Sequence, residues 1–523
     1  MLRPAKSLEA ARKLQQTTDT GGEGMRQAGY IGLDVGTSGC KASVLDGEGR
    51  VLVTASREYR FEYPAKGMVE LNPKTVWNCV KETLREIASS GYEVRMLSVS
   101  SIGEAMVMLD REDRVLYNGI TYLDERGPET VDAITGRISG DRMHRISGHP
   151  PRLCYSLNRF LWLQEHRPEV VEQTDKYFLF GDYITYMLTG ERMIDPSSAS
   201  KTWMLDTMRL DWSKEIGSAF GVPLERFSSV VPTGTKAGVI RPQLADETGL
   251  PRTLQVVVGC HDQCAAALGA GCVGRGEMAA GEGSTESLNL IVSRGDVTEK
   301  FYDCDVCLEP YMVPDTYMVL VAQHSHGTSI RWFVNEFGAD FGPAPGTVNG
   351  APRSIYEIAN DNCAADSDEV YFLPHLTRSN LMDAENRSLG LFTGLEVSTG
   401  RAVMYRALLE GLCFETKLCF DRLQETGFPI DKIVATGGCS KSSLLMQMKA
   451  DILRRPVHIL EDANAGISAL AMICAVAEGA YGTYGEAADV FVRIRKEYTP
   501  QKDYAEKYRR YVEVYEAAKA LYR

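Results

Sequence analysis

An α/β fold built from two like halves is what this sequence predicts, and two patterns carry the prediction. Short apolar runs ending in Gly-rich turns alternate with amphipathic stretches of helical period, as in layered α/β proteins. A strand–Gly turn–strand unit also occurs twice, at residues 31–46 and again in EMAAGEGSTESLNLIVSR, each time followed by helices. A supersecondary unit repeated in pattern rather than identity points to a duplicated fold with a cleft between the copies. At 523 residues the chain has room for two large domains.

The elements follow in chain order. Residues 1–28, ending TTDTGGEGMRQAG, read as a polar tail without the apolar centre of a signal peptide, and Met25 would serve as a natural start. From Tyr30, YIGLDVGTSGCKASVLDGEGRVLVTASREYRF alternates short apolar stretches with Gly-rich and Asp-Gly turns, which predicts a three-stranded antiparallel meander. VELNPKTVWNCVKETLREIAS places apolar residues at helical spacing after an Asn-Pro start. VRMLSVSSIG reads as a buried strand and AMVMLDREDRVLYNGITYLD as a hairpin. A second cycle opens near Leu254, where LQVVVGCHDQCAAALGAG gives an apolar strand, a polar break and a small-residue helix. Later, DKIVATGGCSKSSLLMQMKADILRRPVHIL gives strand, Gly turn, helix, strand, and AGISALAMICAVAEGAYG a long apolar helix. The expected division is an N-terminal domain at 29–257 and a C-terminal domain at 258–523.

Composition narrows the function classes. Hydrophobic residues make up 44% and charged residues 24%, the balance of a soluble globular protein. No apolar run approaches the ~18 residues of a membrane span. A net charge of −13 without a basic stripe speaks against nucleic acid as a partner. Thirteen scattered cysteines suit a reducing cytoplasm. The close pair Cys304 and Cys307 lacks the second pair or His ligands of a zinc site, and reads as incidental.

Three Gly-rich loops stand at strand ends. In DVGTSGCK, Asp34 precedes the small residues Gly36, Thr37 and Ser38, whose amides and hydroxyls suit phosphate oxygens. Asp34 itself would serve a phosphate-bridging Mg²⁺, although an ordinary hairpin turn would use the same residues. The second loop carries Gly283, Ser284 and Thr285. The third, ATGGCSKSS, carries Gly437 and Gly438 before a helix N-terminus, where anions are favoured. Three such loops across both halves favour a nucleotide cleft, and the missing GxxxxGK[ST] excludes a P-loop enzyme. In GCHDQC, Asp262 leaves a buried strand where it either accepts a proton from an attacking hydroxyl or caps a helix beginning at Gln263. His324 and His326, spaced i, i+2, would share one face of a strand, but no further ligand accompanies them.

Taken together, these segments resemble the FGGY family of carbohydrate kinases. DVGTSGCK is similar to the family's first phosphate loop, and LDERG to its W-x-D-x-R segment, with Tyr122 in the Trp position and Asp124 and Arg126 kept. FLWLQEHRPEV, DYITYMLTGE, DPSSASKTWMLD, HDQCAAALGAG, GEGSTES, HGTSIRWF, YFLPHL, GLFTGL and ATGGCSKSSLLMQMKADILRRPV follow in the family's order, from about residue 30 to about residue 500. The resemblance implies two ribonuclease-H-like domains, as in actin and the chaperone ATPases, around a central cleft that binds ATP and Mg²⁺. It implies Asp262 as catalytic base, Asp34 as the metal-associated acid, and Gly36, Thr37, Ser38, Gly283, Ser284 and Thr285 in the phosphate loops. Gly327 and Arg331 fall at nucleotide-contacting positions, and Gly437, Gly438, Ser440, Lys441 and Ser442 at the adenosine end. Glu104, Tyr155, His261 and Gln263, together with Asp262, would face the sugar. Glu104 stands where many xylulose kinases carry a His and glycerol kinases a Glu, while the Arg beside that Glu in glycerol kinases is Gly103 here.

The expected activity is transfer of phosphate from ATP to a ketopentose or ketohexose, or else to a polyol such as glycerol or a tetritol. A sugar-independent actin-like ATPase is the rival class, and LDERG with GCHDQC speaks against it. A cytoplasmic enzyme is expected, in the homodimeric form that is the default for soluble enzymes.

Overall fold

In the computed structural model, residues 28–522 are described apart from 339–346, 349–350, 378–382, 384–385 and 462–463, so all but the last residue of the expected tail at 1–28 lies outside the described residues. The chain forms two units. One comprises residues 28–273, Leu308–Tyr317 and Asn464–Val492; the other comprises Gly274–Cys307, Met318–Ala463 and Arg493–Arg523.

The first unit opens on the predicted meander, strands Ala28–Val35, Gly39–Leu45 and Val51–Glu58, each antiparallel to the next. Helix Pro73–Ser89 follows, started by Asn72, whose side chain accepts hydrogen bonds from the amides of Lys74 and Thr75. It carries the chain back so that strand Glu93–Ser101 lies parallel to Ala28–Val35, a pairing that requires such a crossover. Strand Gln255–His261 then adds parallel to Glu93–Ser101, and Lys236–Val239 closes that edge of a six-stranded sheet.

The sequence division at residue 257 therefore falls inside a strand of the first sheet, and the second cycle does not begin there. Helix Ala465–Glu478, expected in the C-terminal domain, also belongs to the first unit. It is apolar all round because it is buried, and two glycines admit its backbone. A Cβ at Gly32 would stand 2.6 Å from Ile467 O, and one at Gly269 only 1.7 Å from Ala465 O. Neither contact is written in local periodicity.

The second unit repeats the plan. Strand Glu277–Glu282 is antiparallel to Glu286–Ser293 and parallel to Lys432–Thr436, which is parallel to Val457–Leu460. Ile494–Tyr498 closes that edge, as Lys236–Val239 does in the first sheet, and the full order has seven strands. The repetition expected from the two Gly-turn hairpins is thus present in topology. Among the described residues no helix is long and apolar enough to cross a membrane.

Candidate active site

In the first unit, acidic groups gather at the carboxyl ends of parallel strands, the end where open α/β sheets bind ligands. Asp34 pairs in register with Ser100, and His261 with Ser101, so the ends of three adjacent strands are level. Ser100 Oγ donates to Asp34 Oδ1 at 2.7 Å. Burial pushes the Asp34 carboxyl up to about 6, against that hydrogen bond, and nearby Asp262 adds to the rise. The following loop is a tight turn: Gly36 N–H donates to Gly39 O at 2.9 Å, and Gly36 O accepts from the Tyr59 hydroxyl at 2.7 Å. Gly36 therefore spends its amide within the turn, and Ser38 is the exposed residue of the loop, with Thr37 half-buried.

Asp262 is not the cap of its helix. Helix Asp262–Gly269 has His261 at its N-cap position with no side-chain capping bond, and Asp262 is its first residue. Its Oδ1 instead lies 3.1 Å from His261 Nε2. Behind it, His261 Nδ1 meets Glu309 Oε2 at 2.9 Å, and the His261 amide donates to Ser197 Oγ at 3.0 Å. Burial opposes protonation of His261, yet the Glu309 carboxylate, with Asp262, raises its pKa above the ordinary value. Burial alone would raise Glu309; Lys201 and His261 instead hold it well below the usual carboxylate range. Glu104 is part-exposed, with Oε1 3.9 Å from Lys201 Nζ. Gln263 is half-buried on the first turn of the same helix as Asp262.

Tyr155 was expected to face the sugar. It is only 2% exposed, with its ring 5.2 Å from that of His149 and 5.4 Å from that of Trp203. It packs in the apolar core of the unit. Lys201 and Glu309 were invisible to sequence reasoning. Lys201 lies 108 residues from Glu309, and Glu309 lies 48 from His261; Lys201 falls within DPSSASKTWMLD, but nothing in that segment marks it as the partner of a distant acid.

The second unit holds a cavity of about 500 Å³ lined by Gly283, Ser284, Gly327, Arg331, Gly438, Lys441 and Ser442, seven of the predicted nucleotide residues. Thr285, Gly437 and Ser440 shape the walls without lining it. Gly437 has φ +88°, and a Cβ there would stand 2.8 Å from Glu282 O. Gly327 opens helix Gly327–Phe337; its amide donates to Gly283 O at 3.1 Å, while Arg331 reaches Ser284 Oγ at 3.2 Å. Ser442 caps helix Ser443–Leu453 by accepting from Leu445 N. Tyr356, Asn360, Tyr405 and Cys439 also line the cavity and lay outside the sequence reading.

Beneath this wall, Glu282 and Glu286 face each other across the hairpin and share the ammonium of fully buried Lys449. His326 Nε2 adds a contact to Glu282 at 2.7 Å. His324 and His326 lie in the turn after strand Thr316–Gln323, not on a strand face, so the shared-face spacing does not arise.

Carboxylates at strand ends in one α/β unit, and a glycine-walled pocket with two cationic side chains in its duplicate, define a phosphotransferase of the duplicated α/β class. Comparison with known proteins supplies the family. The N-terminal and C-terminal domain models of the FGGY family of carbohydrate kinases match residues 29–269 and 297–478. The chain belongs to that family and is a carbohydrate kinase. A xylulose kinase of Bacillus subtilis (strain 168) is 25% identical over 492 residues, 93% of this chain and 95% of its own. A gluconokinase of the same strain is 26% identical over 485 residues, 92% and 93% of the two chains. The crystal structure of gluconate kinase from Lactobacillus acidophilus shares the fold with a TM-score of 0.84 at 23% identity, covering 95% of this chain and 99% of that one.

Proposed function

We propose that this enzyme transfers the γ-phosphate of ATP to a hydroxyl of a neutral ketopentose or ketohexose, with Asp262 as the base. The observation that carries the reading is the placement of Asp262: at a strand end, uncommitted to helix capping, and oriented by His261. Asp262 accepts the hydroxyl proton as the acceptor oxygen bonds to phosphorus and the bond to the ADP oxygen breaks. Positioning and charge stabilisation supply most of the acceleration in such transfers.

For the donor, the cavity of the second unit lies within the usual size of small-molecule sites, about 300–1,000 Å³. Its glycines allow close backbone approach, and Arg331 and Lys441 bring positive charge to a polyphosphate. The residues also fit Mg²⁺: burial, and then the nearby Asp262, raise the cost of ionising Asp34, which a cation relieves. Asp34 would hold it with the donor phosphates, and the ion supplies neutralisation of their charge.

For the acceptor, Glu104, Asp262 and Glu309 outnumber the one lysine among them. An aldonate carboxylate would meet that acidic ring at a cost, whereas adjacent neutral hydroxyls would donate to Glu104. The ring thus separates this chain from what the name of its gluconokinase relative implies. A tetritol or other polyol is the second reading, supported by Glu104 and Gln263 standing where glycerol kinases carry the same residues.

The test is ADP release with MgATP across ketoses, polyols and gluconate, for the native enzyme and Asp262→Asn. One neutral sugar should stimulate release far above background, and the variant should lose about 10²–10⁴-fold in kcat while still binding ADP. Near-native turnover by the variant would remove Asp262 from the role of base, and best turnover on gluconate would remove the neutral-acceptor reading.

A further inference from the structure

One lysine of the first unit is buried in the middle of the acceptor site and absorbed by none of the roles above. Lys201 follows helix Pro196–Ser200 and is only 3% exposed. Its ammonium pairs with Glu309 Oε1, and Glu104 Oε1 lies 3.9 Å away on its other side. Its stem crosses the backbone at Gly103. A Cβ built there would stand 2.7 Å from Lys201 Cγ and 3.3 Å from His261 Nε2. Gly103, Lys201 and His261 thus meet at one point, and glycine at 103 is what lets the lysine pass.

From Glu309 the contacts continue without a break. Its Oε2 meets His261 Nδ1 at 2.9 Å, and His261 Nε2 lies 3.1 Å from Asp262 Oδ1. The Nδ1 contact is a hydrogen bond, whereas Nε2 approaches Asp262 Oδ1 as a charge contact outside hydrogen-bond geometry, so both ring nitrogens face a carboxylate. His261, Cys264 and Glu309 also have the chemistry of a metal-ligand trio, but the Lys201 ammonium already stands on the Glu309 carboxylate as its cation.

We propose that Lys201 is a positioning residue that couples acceptor recognition to proton transfer. Through Glu104 it fixes the carboxylate that receives the acceptor hydroxyls. Through Glu309 and His261 it fixes the orientation of Asp262. The inference rests on the roles given to Glu104 and Asp262 above. It also explains Gly103: the cation beside Glu104 is delivered from residue 201, so a side chain at 103 would collide with it.

The experiment compares Lys201→Met, Lys201→Arg, Gly103→Ala and Asp262→Asn in the full chain. Each is assayed for acceptor kcat and KM and for ADP affinity by calorimetry. Lys201→Met should raise acceptor KM and lower kcat together, for a loss in kcat/KM of about 10²-fold, the scale of an ångström-level misplacement of reacting groups. ADP affinity, a property of the second unit, should stay at the native value. Lys201→Arg should recover part of the loss, and Gly103→Ala, which keeps the charge but displaces the stem, should reproduce it in part. A merely structural lysine would reduce the active fraction, lowering kcat at native KM, and that result overturns the proposal. So does native kcat/KM in both Lys201→Met and Gly103→Ala. If Lys201→Met does not fold, Gly103→Ala alone decides. An active Asp262→Asn would sink the base assignment itself, whereas an inactive one beside an unaffected Gly103→Ala sinks only the coupling.

Discussion

Replacing Lys449 with methionine removes the ammonium shared by two carboxylates that the hairpin register sets opposite each other. Lys449, Glu282 and Glu286 are all fully buried, so water cannot compensate. Burial by itself raises Glu282, but Lys449, and then His326, bring it down to about 2. A carboxyl held below its unfolded value stabilises the fold above that unfolded value, and the benefit is lost only as pH falls through about 2. At neutral pH the full penalty therefore appears in the variant. Breaking a buried pair from one side costs about 3–5 kcal/mol. For a unit of about 200 residues each kcal/mol moves the midpoint by about 2–4 °C, so the second unit should melt about 10 °C lower. Scanning calorimetry of the full chain reads this, with the second unit identified as the transition that ADP shifts upward. Neutralising the acids as well, in Lys449→Met/Glu282→Gln/Glu286→Gln, should return part of the loss, because the cost lies in the orphaned charges. A single variant melting within about 2 °C of native would refute this account, since a buried cation with two partners cannot be removed so cheaply.

Two further outcomes follow from local geometry. Gly327→Val places carbon where a Cβ already stands 2.4 Å from Gly283 O and 3.0 Å from Cys439 Sγ; ADP affinity should fall by the equivalent of the ~1–3 kcal/mol of overpacking, and native affinity by calorimetry would move the nucleotide elsewhere. Asp182, raised to about 7 by burial despite hydrogen bonds from Ser228 and the Leu179 amide, favours the fold when protonated. That contribution is full below the unfolded value of 3.8, and is lost as pH rises through about 7. Asp182→Asn should flatten stability between about pH 4 and 7, by at most about 4 kcal/mol in urea titrations; an unchanged slope would exclude Asp182 as its source.

Much of the fold was legible because it is local. The meander of residues 30–58, the Asn72-capped helix and the Gly-turn hairpin at 277–293 each announce themselves by period and turn chemistry. Strand Gln255–His261 announced itself equally well as a strand, but its sheet did not. A continuous apolar run states only that both faces are covered, and says nothing of which neighbours cover them. Helix Ala465–Glu478 failed for the same reason. Its partners, Gly32 and Gly269, lie 435 and 196 residues from the helix residues they meet, and a glycine in sequence does not say whose backbone it admits.

The site divides along the same line, and the division has a physical cause. Phosphate loops are read from sequence because small residues and strand ends are local requirements, met within a few positions. Charge compensation has no such requirement. Glu309 needs a cation and Asp262 a neighbour that fixes it, but any segment the fold brings within reach can supply them. Here residue 201 supplies the first and the neighbouring His261 the second, while in the other unit Lys449 comes from a helix beyond the third loop. Gly103 shows how such a compensation leaves a local trace. Its missing side chain reads in sequence as the loss of a cation beside Glu104, and in the structure as the opening through which Lys201 brings one from elsewhere. A departure from a motif is therefore ambiguous until its volume is accounted for: an emptied position that another side chain fills signals a function rerouted, whereas one left empty would signal a function lost.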